Sequence, residues 1–362
     1  LNKEVITNKQ MIILIIMFLA GTTALTVMGM DAKEDFWIAS ILSMLLAVPM
    51  IIIYCRLYYI FPGKNIFDIF EICFGKFIGK IIIIVYTYYL VGEATLVLLN
   101  YVYFVDVIFL TYTPLIVILI SIMILCIWIT KIGINVIGRW AELMVIIFMI
   151  LIGVCILFAI PKMDINNIRP TLYSGINPIL KGVFETYTFP FAQMTVFTMI
   201  FNNFKGKKSA YKVYSLGLLI GSLLSLLIST TSILILGAKT ASKAVYPIYV
   251  AMSRIDAFNV IQGIDIIIST VFILGVFIKL SVYLIATSKG FATMFIFNDY
   301  RLFVIPTTLF MLILSSILFK GVLDYWEYSY EIWPYIAILF YTIIPIVTFI
   351  IAEIRNKIKT NY

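Results

Sequence analysis

The chain of 362 residues contains no histidine. Histidine-ligated metal, haem and histidine-based acid–base catalysis are therefore excluded. Charge is also scarce, at 12% of residues against 63% hydrophobic, with a mean hydropathy of +1.10. A soluble domain cannot hide that much apolar surface. The four cysteines (Cys55, Cys73, Cys126, Cys155) form no CxxC pair and lie in apolar surroundings. They read as small packing residues, with neither disulfides nor a thiolate metal site expected. No loop is long enough for a soluble domain, and no cleavable signal peptide is expected from the first apolar segment.

What is present is a series of apolar runs, each able to cross a hydrocarbon core of roughly 30 Å. The chain reads as an all-α polytopic membrane protein. Ten spans are expected near 9–30, 37–60, 78–109, 113–131, 139–160, 178–201, 212–237, 259–288, 302–319 and 332–354. The third is long enough to tilt strongly. With the N-terminus inside, seventeen of the 26 basic residues fall in cytoplasmic segments, eight fall outside, and Lys279 is left within a span. That excess predicts cytoplasmic termini and makes the net charge of +8 a topology signal. NNFKGKKSAYK, between spans 6 and 7, is the densest basic loop and a possible contact for anionic lipid. NIFDIFEICFGK, before span 3, reads as a short amphipathic helix. Trp37, Trp128, Trp140, Trp326 and Trp333 read as interface anchors.

Two spans carry breaks. Span 1 contains FLAGTTALTVMGM, with Gly21, Thr22, Thr23, Thr26 and Gly29. Span 6 contains VFETYTFPFAQMTVF, where Pro190 frees carbonyls around Thr186 and Tyr187. Irregular backbone at membrane depth is tolerated only where protein or a wet cavity surrounds it. Spans 1 and 6 open two five-span halves, about 9–160 and 178–354. Matched interruptions of this kind point to a binding site near the midplane, although small residues alone can also serve close helix packing.

Ionisable residues inside spans are costly and are functional candidates. Glu93, in span 3, is either a pocket group or a partner to another helix. Glu185 has a ligand ammonium or Lys181, one turn earlier, as partner. Gln193 presents its amide to the cavity or back-fills the break. Lys279 either approaches the carbonyls of span 1, as a candidate ion-site or coupling residue, or snorkels to the cytoplasm. Asp265, the other coupling candidate, lies 14 residues from Lys279, about 21 Å along a helix, so the two cannot pair. It is expected near the outer helix end. Glu142, three residues after Arg139, is expected to pair with it.

These residues carry a family resemblance over nearly the whole chain. The Gly-Thr break followed by DAKEDFW resembles the endospore germination permeases, and so does FPGKNIFDIFEICFGKFIGK. YTP, KIGINVIGR and NIRPTLYSGINPILKG continue the pattern, followed by FPFAQ, YPIY and FIKL. These permeases are the B subunits of nutrient germinant receptors, within the amino acid–polyamine–organocation superfamily. The resemblance implies a LeuT-like fold of two inverted five-helix repeats with helices 1 and 6 broken. It implies no enzymatic activity, no cofactor, and a location in the inner membrane of the endospore. It also implies a small nutrient ligand, with an amino acid the expected class. The implied ligand groups are Gly21, Thr22, Thr23, Thr26, Glu93, Glu185, Tyr187, Thr188, Phe191 and Gln193. The implied partners are a membrane-bound A subunit and a lipoprotein C subunit, and an uptake transporter of the same superfamily is the alternative. Asn135 and Gln193 stand where the family often has glutamate, and Asp265 stands near its usual Arg-x-Glu. Amides hydrogen-bond but do not titrate, which argues against proton coupling at those two positions.

Overall fold

The computed structural model describes residues 4–173, 175–204, 209–255 and 263–360. Lys205, Lys207 and Lys208 of the basic loop lie outside the described residues. The described residues are almost wholly helical. The first five helices are α1 (Asn8–Thr22), α2 (Phe36–Ile60), α3 (Ile66–Ile108), α4 (Leu115–Ile132) and α5 (Ile134–Ala159). The second half begins with α6 (Ile176–Thr186), continued by a π turn at Tyr187–Phe191 and a 3-10 run at Ala192–Asn203. It goes on through α7 (Ala210–Leu236), the short α8 (Ala238–Ala241) and α9 (Pro247–Ser253), α10 (Ile264–Met294) and α11 (Val304–Ile317). A final rod is built from α12 (Val322–Glu327), α13 (Trp333–Ile338) and α14 (Ile344–Thr360), joined by single π turns. Among the described residues, eight helical segments are long and apolar enough to cross a membrane. With α1 and the broken sixth segment, ten crossings result.

Sequence signals explain most boundaries. Thr7 and Gln10 form a capping box that starts α1, and Asn65 with Asp68 does the same for α3. The expected amphipathic helix is the first part of α3. Its residues Ile66, Phe67, Ile69, Phe70 and Cys73 are buried, and Gly75 (φ +81°) turns the chain before the membrane-crossing part begins. Only Gly133 separates α4 from α5, so α5 starts five residues earlier than expected. The last crossing starts at Val322 rather than near 332, because the π turns keep the aromatic run helical.

The bundle is packed around α1 and α10. Phe18 and Leu19 on α1, and Val276, Ile278 and Leu280 on α10, are buried. The two helices approach backbone to backbone: a Cβ built on Gly21 would lie 2.2 Å from Gly275 Cα. Gly217 and Gly221 of α7 seat Ile15 and Leu19 in the same way. All four cysteines are free and buried. The opposite helix faces carry exposed Ile120, Leu125, Leu143 and Ile150, the apolar surface a bilayer would cover.

The N-terminal segment ties one end of the bundle together. Ile6 N–H donates to Asn203 C=O (2.9 Å), and Asn203 Nδ2 donates to Glu4 C=O (3.1 Å). The Glu4 carboxylate accepts from Arg301 (2.6 Å) and from the Tyr300 hydroxyl (3.1 Å). Glu142 does not take Arg139 as its partner. It accepts from Gln10 Nε2 (3.0 Å) and pairs with Lys9 (3.3 Å), because α1 lies against α5 and offers donors closer than the preceding turn does.

Gly21→Leu is expected to abolish the α1–α10 contact, since any side chain there meets backbone. Loss of at least the ~1–3 kcal/mol typical of overpacking should appear as a lower thermal midpoint, or as loss of the monodisperse peak in detergent. Gly153→Leu, at a position with nothing near its Cβ, is the control and should behave as the wild type.

Candidate ligand cavity

Beyond α1 the chain unwinds from Thr23 to Gly29. Gly29 adopts the left-handed region (φ +66°) before a 3-10 turn leads into α2. Threonine hydroxyls cap the freed carbonyls of the last turn. Thr22 Oγ1 donates to Phe18 C=O (3.2 Å), and Thr23 Oγ1 lies against Leu19 C=O (3.1 Å) and Ala20 C=O (3.2 Å). Serines of α7 hold the unwound strand from behind: Ser225 Oγ lies 2.7 Å from Thr23 Oγ1, and Ser229 accepts from Met28 N–H (3.2 Å).

The sixth span breaks at Phe189, whose φ, ψ of −133°, 115° leave the helical region. Thr188 Oγ1 takes the carbonyls of Phe184 (3.0 Å) and Glu185 (2.9 Å), and Ala192 N–H takes that of Tyr187. The carbonyl of Tyr187 is therefore occupied by the chain itself.

Between the two breaks lies a cavity of about 80 Å³, measured as space open to the centre of a water molecule. Thr22, Thr23 and Thr26 line it from span 1, and Glu185, Thr188 and Gln193 from span 6. On α3, Glu93, Leu96, Val97 and Asn100 line it at the i, i+3, i+4, i+7 spacing of one helix face. Three expected site residues do not line it. Gly21 is a packing glycine, Tyr187 turns its hydroxyl to Thr342 (2.7 Å), and Phe191 is buried in the core. Asp265 sits in the first turn of α10, where its carbonyl accepts from Ser269, well away from the cavity.

The cavity floor is a chain of buried polar contacts. The Lys279 ammonium donates to Thr22 Oγ1 (3.1 Å) and to Gln193 Oε1. Gln193 Nε2 in turn donates to Glu93 Oε1. The ammonium also lies 4.6 Å from the ring centres of both Phe18 and Phe189, a cation–π clamp from the two broken spans. Lys279 is fully buried, so it does not snorkel. It contacts the threonine at the end of α1. Beyond Glu93 the polar chain continues through Tyr283 to the Tyr341 hydroxyl (2.9 Å).

Several polar atoms on the cavity wall are buried with no hydrogen-bond partner in the structure. Glu185 Oε2 and Asn100 Oδ1 are acceptors and the Trp326 indole N–H is a donor, while the Trp333 indole N–H faces the Glu93 carboxylate. Native proteins rarely leave such groups unpaired, so the wall is complementary to something polar. The local Lys181–Glu185 pair does not form, because Lys181 pairs with Asp31 (2.9 Å). Trp326 and Trp333 were expected as interface anchors but face inward. Asn100, Tyr330 and these tryptophans are among the wall residues that sequence reasoning missed. The seven-residue spacing from Glu93 to Asn100 was the available signal for one of them.

Ten helical crossings among the described residues, with the first and sixth interrupted around a central cavity, define a helical membrane protein of LeuT-like fold. Two solved structures share this architecture. Mhp1, a nucleobase-cation-symport-1 family transporter in a closed conformation with bromovinylhydantoin bound, superposes with a TM-score of 0.65 at 12% identity. The match covers 98% of this chain and 92% of Mhp1. MhsT in complex with L-phenylalanine matches with a TM-score of 0.57 at 12% identity, covering 98% and 99% of the two chains.

The particular family is given by sequence. The family model described as spore germination protein matches residues 5–321, and the chain belongs to this spore germination permease family, which is not an enzyme family. Spore germination protein KB of Bacillus subtilis (strain 168) is 26% identical, covering 99% of this chain and 97% of the relative. Spore germination protein A2 of the same organism is 25% identical, with 82% and 80% covered.

Lys279→Met should be strongly destabilising, by about the 3–5 kcal/mol typical of removing one partner from a buried charge pair. It leaves the Glu93 carboxylate without a cation. The double variant Lys279→Met/Glu93→Gln should recover most of the loss. A double-mutant cycle on thermal unfolding measures this, and an additive outcome would mean the two charges are not coupled through Gln193.

Proposed function

We propose that the protein is the germinant-sensing membrane subunit of a spore nutrient receptor. In this reading it binds a small nutrient of the amino acid class between broken spans 1 and 6. The observation that carries the reading is the set of unpartnered polar atoms on the wall of a cavity lying between the two interruptions. The ligand carboxylate meets the unwound backbone after Thr23, with Thr26 and the Trp326 N–H as further donors. Thr22 and Thr23, whose hydroxyls are already engaged, act by holding that strand in place. The ammonium is met by Glu185, and Leu96, Val97 and Val276 sort the side chain.

Occupancy shifts the balance between helix arrangements by its differential affinity for them. Membrane-bound A and lipoprotein C subunits then read that shift as a germination signal. Division into repeats near 9–160 and 178–354, cytoplasmic termini and residence in the inner membrane of the endospore belong to the same reading. The excess of basic residues on one side supports the orientation.

A second reading, uptake of an amino acid, draws support from the shared fold with Mhp1 and MhsT. The two readings separate on flux. In the receptor reading, purified protein is thermally stabilised by at least one member of an amino acid panel. Trp326→Ala and Thr26→Val shift the required concentration by about tenfold or more, the scale of a lost polar contact in a buried site. Proteoliposomes then accumulate none of that amino acid. Accumulation would favour the transporter, and no stabilisation by any amino acid would sink both.

A further inference from the structure

The unpartnered atoms on the cavity wall do not match an ordinary zwitterion. The wall carries two carboxylates, Glu93 and Glu185, and no lysine or arginine lines it. The nearest cations are already committed. Lys181 is paired with Asp31 (2.9 Å), and Lys279 lies beneath the floor, spent on Gln193 and Thr22. Through Gln193 that charge supports one oxygen of Glu93, yet the other oxygen is buried with only the neutral Trp333 indole facing it and no cation, on a residue only 2% exposed. Glu185 Oε2 is buried and unpartnered. A ligand with a single ammonium satisfies one of these carboxylates and leaves the other dehydrated and unmatched, which is costly in a closed site. Aromatic faces complete the wall, with Phe189, Tyr325 and Tyr330 among its lining residues, and such faces favour cationic groups.

We infer that the cavity selects an amino acid with a second cationic group on its side chain: a basic amino acid of the lysine or ornithine type. This rests on reading the cavity as the ligand site and goes beyond it by naming the ligand class. The α-ammonium lies at Glu185, the side-chain ammonium at the cavity-side oxygen of Glu93, and the carboxylate at the Trp326 indole N–H and the unwound segment of span 1. Glu93 thereby becomes the residue that reads the side chain.

L-norleucine has the carbon skeleton of lysine without the terminal ammonium, so the pair isolates that one group. The measurement is thermal stabilisation of the full chain in nanodiscs, titrated with L-lysine, L-ornithine, L-norleucine and L-leucine. Lysine or ornithine should act at a concentration at least about tenfold below norleucine, because a site with buried polar groups rejects the analogue that cannot pair them. Glu93→Gln, tested alone and together with Lys279→Met so that no buried charge is left unmatched, should bring lysine and norleucine to the same concentration. Glu185→Gln should weaken lysine and norleucine alike. If norleucine or leucine acts at the same concentration as lysine or below it, the inference is overturned and the cavity reading survives. If no amino acid acts, both fall. Should Glu93→Gln fail to fold, the wild-type comparison of lysine with norleucine decides.

Discussion

A single ammonium group placed between two interrupted helices constrains the rest of this structure. Lys279 is fully buried, and an uncompensated charge at that depth is not tolerated. Its compensation comes from three helices at once: Thr22 at the end of α1, Gln193 just beyond the break in span 6, and Glu93 on α3 at one remove. The attraction between unit charges about 4 Å apart is about 4 kcal/mol at an effective dielectric constant near 20. Longer relays through an amide gain less, so the contact geometry must be held closely. The Gly21–Gly275 approach supplies this. It brings α1 against α10 at the level where the lysine stem leaves its helix, only four residues from Gly275.

The breaks themselves are stabilised mainly by hydroxyl groups. Thr22, Thr23 and Thr188 each return their Oγ1 to carbonyls three or four residues back, closing the helix ends that would otherwise face a dry interior. Serines of α7 then hold the unwound strand from outside. These contacts take up the carbonyls of Phe18, Leu19, Ala20, Phe184, Glu185 and Tyr187. Wall side chains without a partner include Glu185, Asn100, Thr186, Trp326 and Ser329. A site whose free groups are side chains is readily retuned by substitution without rebuilding the breaks that shape it.

The fold was legible because its signals are local. Apolar runs of span length, the Gly-Thr and Pro interruptions and the capping residues at Thr7 and Asn65 all act within a turn or two of where they occur in sequence. Glu93, Gln193 and Lys279 were each legible as intramembrane polar residues that need partners. That they partner one another was not, since no spacing along the chain encodes the register of α3 against α10 across nearly two hundred residues. The same limit explains the misplaced pairs. Helix spacing offered Arg139 to Glu142 and Lys181 to Glu185, whereas tertiary packing delivered Lys9 and Gln10 to the first and Asp31 to the lysine. The span-10 tryptophans misled for a different reason. Aromatic residues near a span end serve equally well at a lipid interface or on a cavity wall, and only the facing helix decides.

The amide at position 193 has a consequence that a carboxylate would not. With its carbonyl toward Lys279 and its amino group toward Glu93, Gln193 links a cation to an anion in one polarity and cannot exchange a proton with either. A glutamate there would place two carboxylates side by side, and one would have to take up a proton. The amide itself therefore adds no titrating group between the two charges. A ligand cation that draws the Glu93 carboxylate toward the cavity loosens its hold on Gln193, which in turn changes what the Lys279 ammonium can share with Thr22. Because Thr22 closes α1 and Gln193 follows the Phe189 break, the proposed occupancy at Glu93 would bear on both interrupted helices. Such a linkage suits recognition: it gives two helix arrangements different affinities for the ligand, which is all that a population shift requires.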